Sequence, residues 1–194
     1  MRLKEFNANS VLEKSIDLFW NTSFGHCSIK DIVEVTGVNR FSLYEEFENK
    51  EGILLTSMDL YIDRRINPKL ELLEADEKLS DTLSSFYMSL MNDNPKHPSG
   101  CYIIRIATEL ADNNQEVRAK LDAYLQILEN KFLALLEKYP ETKNNTSYFA
   151  KHLLGLFCSL TTFCVIHSFQ ERKSLVKSGL SMLFKNHSNY ATHA

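Results

Sequence analysis

A cysteine near the middle of the chain has the residue types around it that thiol chemistry needs. Ser99 is of N-cap type, and a helix starting there places Cys101 in its first turn, where the helix dipole lowers a thiol pKa. Arg105 follows one turn later on the same face and favours the thiolate further. Such a thiolate would sense oxidants or electrophiles. The competing reading is a small core residue, the common fate of a lone cysteine. Tyr102 and Phe157 join Cys101 and Arg105 as candidates for a ligand or sensor site, among aromatics that mostly serve as core. Cys27, Cys158 and Cys164 make no CxxC pair and have no histidine at metal spacing, so neither metal nor disulfide is expected. Reduced thiols fit a cytoplasmic protein.

Other chemistry is not written in the chain. There is no GxSxG, no HExxH, no phosphate-cradling glycine loop and no carboxylate pair among apolar residues, and His97, His152 and His167 have no evident partners. The expectation is a protein that is not an enzyme and takes no cofactor. No N-terminal run pairs basic residues with an apolar stretch, so no export signal is expected. The most apolar segment, Leu153 to Ile166, is 14 residues long, short of the roughly 18 that a membrane span needs.

The elements that position these residues are helical. Of 194 residues only four are Pro and six Gly, too few for a turn-rich β fold. Val11, Leu12, Ser15, Ile16, Phe19 and Trp20 form the stripe of an amphipathic helix over 8–21. Ser28, with Asp31 three residues on, reads as a capping box for a short helix that buries Ile29, Ile32 and Val33. Gly37 supplies the left-handed turn that ends it. Asn39 caps a third helix through Phe47, and Asn49 a fourth that runs until Pro68. Two short helices joined by a glycine turn make a helix-turn-helix. Beyond Pro68, segments 77–91, 99–112, 114–138, 145–169 and 172–186 keep helical spacing. The fold class is therefore all-α, with about nine helices. The expected division is a three-helix helix-turn-helix DNA-binding domain over 1–50 and a larger helical ligand-binding and dimerisation domain over 51–194.

The stretch SIKDIVEVTGVNRFSLYEEFENKEGIL, Ser28 to Leu54, resembles the helix-turn-helix of the TetR/AcrR family of transcriptional regulators. That family shows roughly T/S, two residues, D-I-A, three residues, G-V-S, two residues, T/S-L-Y, two residues, F, two residues, K-E-x-L. Ser28, Asp31-Ile32, Gly37-Val38, Ser42-Leu43-Tyr44, Phe47 and Lys50-Glu51 fill it in order without gaps, with Leu54 one residue past the final Leu place. So many matches at fixed offsets make the signal specific. A weaker resemblance covers Ser99 to Leu121, where Gly100-Cys101, Glu109-Leu110 and Glu116-Val117-Arg118 match a Gly-Cys-Leu-Leu stretch of one subgroup.

The resemblance implies double-stranded DNA as partner and assigns contacts by position. Ser28, Lys30 and the N–H groups of the second helix would hold a phosphate. Asn39, Arg40, Phe41 and Ser42 would face the major groove, Arg40 forking onto guanine and Phe41 packing on a thymine methyl. Tyr44 and Lys50 would meet the phosphate backbone, and Arg2 and Lys4 would add contacts from an N-terminal arm. The chain departs from the family at Phe41, often Gly, and at Glu45 and Glu46, often aromatic or His. Two carboxylates beside phosphates would repel them. Residues 1–50 carry six basic side chains against eight acidic ones, so DNA binding depends on where the charges sit.

The resemblance also implies a homodimer through helices at about 145–169 and 172–186, a pseudo-palindromic operator and an unknown small-molecule inducer. It points to a repressor, released from DNA by a small ligand or a thiol-reactive signal. The alternative from another class is a helical dimeric interaction protein without specific DNA binding, favoured by Glu45 and Glu46.

Overall fold

The structure, a computed structural model, describes residues 6–91, 100–164 and 166–185. Arg2, Lys4 and Ser99 lie outside them. Among the described residues there are nine helices of eight residues or more and no strand. They are α1 (Ala8–Thr22), α2 (Ile29–Thr36), α3 (Arg40–Phe47), α4 (Lys50–Tyr61), α5 (Leu79–Leu90), α6 (Tyr102–Leu110), α7 (Gln115–Leu136), α8 (Thr146–Phe163) and α9 (Phe169–Lys185). The all-α expectation holds. No helix among the described residues is long and apolar enough to cross a membrane.

The chain forms two compact units, and the division does not follow residue 50. Of the described residues, the first holds 6–67 with 102–121, and the second holds 68–91, 100–101, 122–164 and 166–185. Helix α4 and the α6 segment thus group with the helix-turn-helix.

In the first unit α1 buries the stripe read from the sequence: Val11, Leu12, Ser15, Ile16, Phe19 and Trp20. Ile32, Leu43, Phe47, Ile53, Leu54 and Met58 are buried in the same unit. Trp20, Tyr61 and Tyr102 close this core as a ring cluster with centroids 5.4–5.9 Å apart, edge and tilted arrangements that suit aromatic quadrupoles. The Tyr102 hydroxyl lies 2.8 Å from that of Ser57, and burial pushes its phenol far above the usual tyrosine range.

Pro68 does not break the helical backbone as its position suggests. After α4 the backbone widens into a π-turn at Ile62–Ile66, in which the Asn67 N–H donates to the Ile62 carbonyl. One α-turn, Asn67–Leu70, and a 3-10 turn, Glu71–Glu74, follow. A proline inside a helix lacks a donor and collides with the carbonyl four residues back; the widened turn ahead of it relieves both problems.

The second unit packs Leu83, Phe86 and Tyr87 of α5 with Phe132, Leu135 and Leu136 of α7 and Phe149, Leu153, Phe157 and Leu160 of α8. The Tyr87 hydroxyl donates to the Leu153 carbonyl at 2.6 Å. The break between the last two helices also differs from its expected place. Helix α8 ends at Phe163 and α9 begins at Phe169, because Ser168 and Glu171 form a second capping box. The Ser168 N–H and hydroxyl donate to the Glu171 carboxylate at 2.8 and 2.7 Å, and the Glu171 N–H donates back to the Ser168 hydroxyl at 3.3 Å.

Candidate DNA-binding face

The helix-turn-helix is set by its caps. Ser28 accepts from the Asp31 N–H at 3.3 Å, and the Asp31 carboxylate accepts from the Ser28 N–H at 2.7 Å and its hydroxyl at 2.6 Å. These hydrogen bonds from Ser28 hold the Asp31 carboxyl below the usual carboxylate range. Gly37 ends α2 in the left-handed conformation, φ 74°. Asn39 then caps α3, its side-chain oxygen accepting from the Ser42 N–H at 2.9 Å. Asn49 does the same for α4 through the Gly52 N–H, also at 2.9 Å.

Gly52 fills the one unspecified place in the K-E-x-L pattern, and here it is indispensable. A Cβ at this position would sit 1.9 Å from the Phe47 carbonyl oxygen, so only glycine lets α4 start this close to the end of α3.

The loop between α1 and α2 is gripped from two sides. The Lys50 ammonium donates to the Phe24 carbonyl at 3.0 Å and the Cys27 carbonyl at 2.7 Å, and lies 4.0 Å from the centre of the Phe24 ring. The Glu109 carboxylate on α6 accepts from the Phe24 N–H at 3.2 Å and the Gly25 N–H at 2.7 Å. The family resemblance assigns Lys50 to the phosphate backbone. Two of its three N–H donors instead hold the fold, because α4 begins directly beneath the loop carbonyls. Glu109 carried no such signal in the sequence, since its partners lie over eighty residues away. Cys27 is buried in the same loop, and burial foremost pushes its thiol up.

The remaining assigned residues divide into caps and presented side chains. Ser28 and Asn39 act as caps, and Ser42 lends its backbone N–H to one of them. Lys30, Arg40 and Phe41 are exposed. Phe41, at 74% the most exposed large apolar side chain described, stands in the first turn of α3. The Arg40 guanidinium lies 5.0 Å from the centre of the half-buried Tyr44 ring, a cation–π contact that pre-orients the arginine. Glu45 is exposed and Glu46 half-buried on the same helix.

The four sensor candidates fall in different units. Tyr102 and Arg105 belong to the first, where Tyr102 is core and Arg105 is exposed. Cys101 and Phe157 belong to the second. Helix α6 starts at Tyr102, so Cys101 stands just before the first turn rather than in it; the preceding Gly100, with φ 106°, is not helical. Cys101 is buried, its sulfur 4.0 Å from the Tyr124 hydroxyl, and the Tyr124 ring packs edge-on against Phe157 at 6.0 Å. Burial, and secondarily the nearby Cys101, push the Cys158 thiol up. Among the described residues no His, Cys, Asp and Glu are grouped to hold a metal.

No protein-family model matches the chain. It is 30% identical over 119 residues to the HTH-type transcriptional repressor ComR of Escherichia coli (strain K12), a match covering 60% of this chain and 57% of ComR. The matched stretch thus spans less than two thirds of that relative. Among solved structures, a cysteine-substituted form of the TetR family transcriptional regulator CifR, complexed with 26-bp double-strand operator DNA, superposes with a TM-score of 0.82. Its identity is 15%, over 93% of this chain and 98% of that one. A TetR family regulator from Cytophaga hutchinsonii gives a TM-score of 0.80 at 18% identity, covering 96% of each chain. At such identities the likeness is one of fold. The chain is an all-helical, helix-turn-helix protein with the fold of the TetR family of transcriptional regulators.

Proposed function

We propose that the chain is a DNA-binding transcriptional regulator of the TetR type, acting in the cytoplasm as a homodimer on a pseudo-palindromic operator, and that it represses. The proteins it resembles are transcriptional regulators rather than enzymes. The observation that carries the reading is the α2–α3 pair itself: both helices are capped by their own side chains, and α3 directs Arg40 and Phe41 into solvent at its N-terminal end. A recognition helix reads base edges from that end. Arg40 takes the guanine-reading role and Phe41 the apolar one. Lys30 and the α2 N-terminus take a phosphate, and Tyr44 and Ser42 complete the face.

A dimer through α8 and α9 is supported by apolar side chains left in water around them. Tyr148, Phe163, Ile166, Phe169 and Met182 are all exposed, Ile166 and Met182 by about 70%. A second copy of the chain is the partner these residues fit, and it would set two reading heads about one DNA turn apart. Release by a small ligand, or by modification of Cys101, completes the reading. The Cys101–Tyr124–Phe157 neighbourhood is the place where a thiol-reactive signal would act. A Cys101→Ser protein that still released DNA on treatment with quinone or peroxide would remove the thiol branch.

The test is fluorescence anisotropy of the chain against DNA from immediately upstream of its own gene, at two salt concentrations. Selective binding that weakens steeply with salt is expected. Absence of binding there and in a random-sequence selection would favour the interaction-protein reading, for which Glu45 and Glu46 on α3 speak.

A further inference from the structure

We propose that a cleft in the second unit, between α5 and α9, binds an amphipathic organic anion: a carboxylate or sulfonate head on an aliphatic or aromatic body. The cleft has a volume of about 1290 Å³, ample beside the roughly 300–1,000 Å³ of small-molecule sites. Its floor is apolar. Half-buried Leu180 and Phe184 on α9 form its floor, backed from beneath by the buried Leu83, Phe149 and Val176. Phe184 stacks on the buried Phe149 with centroids 5.1 Å apart and planes 17° from parallel, which fixes its ring as a flat surface for an acyl chain or ring.

The rim is cationic. Lys78, Lys173 and Lys177 line the cleft with a single carboxylate, Glu141. All three lysines are exposed, and no ion pair or hydrogen bond engages their ammonium groups among the described residues. Lys131 in the same unit shows the contrast, since its ammonium is taken by Glu74. Lys173 and Lys177 are one helical turn apart on α9, so their Cβ atoms lie about 5–6 Å from each other on one face. Helix α5 begins at this rim with no side-chain cap. Ammonium groups only donate, and three beside one carboxylate leave a net demand for an acidic head above an apolar floor. A cationic amphiphile of the same size meets the same floor and the wrong rim.

The inference deepens the ligand-responsive reading above, but its test needs no DNA. Titration calorimetry of the full chain compares decanoate with decyltrimethylammonium, which share a ten-carbon tail and differ in the sign of the head. Decanoate should bind about tenfold tighter or more, the worth of a charge-assisted contact. Lys173→Gln with Lys177→Gln should bring the two affinities within about twofold at an unchanged thermal midpoint. Leu180→Trp, which fills the cleft, should abolish both. Equal binding of the two heads, no binding of either, or selectivity that survives the double variant would overturn the proposal. So would a decanoate signal that falls as sedimentation shows the chain dimerising, which would make the cleft an interface between copies. Anion binding by a chain that fails every DNA assay would leave this proposal standing and remove the regulator reading alone.

Discussion

In the first unit the polar side chains that set the helix-turn-helix end on backbone groups, while Lys30 and Arg40 stay exposed. Ser28 and Asn39 cap the helices they precede, and Lys50 and Glu109 hold the carbonyls and N–H groups of the intervening loop. In the second unit Lys78, Lys173 and Lys177 end in solvent beside an apolar cleft, and Phe163, Ile166 and Met182 stand in water. The difference separates two jobs. A unit whose local polar groups are internally answered holds one geometry, as a reading head must. A unit with a cluster of cations unpaired among the described residues, set beside an apolar cleft, has interaction energy left to give to a ligand or a second chain.

The comparison breaks most visibly at Gly52. Gly52→Val puts a branched side chain where even a Cβ would meet the Phe47 carbonyl at 1.9 Å. Urea unfolding should show a loss of roughly 3 kcal/mol or more, whereas Gly155→Ala in the second unit, where a Cβ meets nothing within 4 Å, should cost no stability. Equal effects would mean the α3–α4 junction is not closely set.

Next comes Lys50. Lys50→Met leaves the Phe24 and Cys27 carbonyls without their charged donor, costing about 1–2 kcal/mol of stability for a half-buried group. Because the side chain is turned inward, the slope of DNA affinity against salt should stay unchanged. A slope reduced by about one would restore Lys50 to the phosphate backbone.

The two capping boxes give the finest comparison. Ser28→Ala and Ser168→Ala should each lower the thermal midpoint by roughly 2–4 °C, but only the first should also weaken DNA binding. Both partner carboxyls, Asp31 and Glu171, are held below their ordinary range chiefly by the serine hydrogen bonds. Their contribution to stability is therefore fully present above the unfolded carboxylate pKa and is lost as pH falls through the lowered folded value. Acid titrations followed by circular dichroism should show this component shrinking in each serine variant. A component that persists in both would mean the boxes do not couple to folding.

Much of the first unit was legible because its signals are local. Ser28, Gly37, Asn39 and Asn49 act within three or four residues of themselves, so spacing alone identified the caps and the turn. The loop contacts of Lys50 and Glu109 have no local signal, because their partners are brought near only by tertiary folding. The Ser168–Glu171 box is just as local as the first. The apolar run from Leu153 to Ile166 hides it by carrying helical spacing across the true break. The π-turn before Pro68 has no local sequence signature, since a proline ordinarily signals a helix end. The cleft lay beyond reach because its lining comes from four stretches, around residues 78–88, 139–145, 149 and 173–184, and no spacing rule joins them.

The central claim is that α3 reads DNA through Arg40. The direct measurement selects duplexes from a random pool with the wild-type chain, then compares its affinity for the enriched sequence with that of Arg40→Ala at one fixed salt concentration. The account predicts a two-fold symmetric enriched sequence and an affinity about 10–100-fold lower for the variant, whose thermal midpoint is unchanged. An unenriched pool, or a folded Arg40→Ala chain that binds the selected sequence as tightly as wild type, would contradict it.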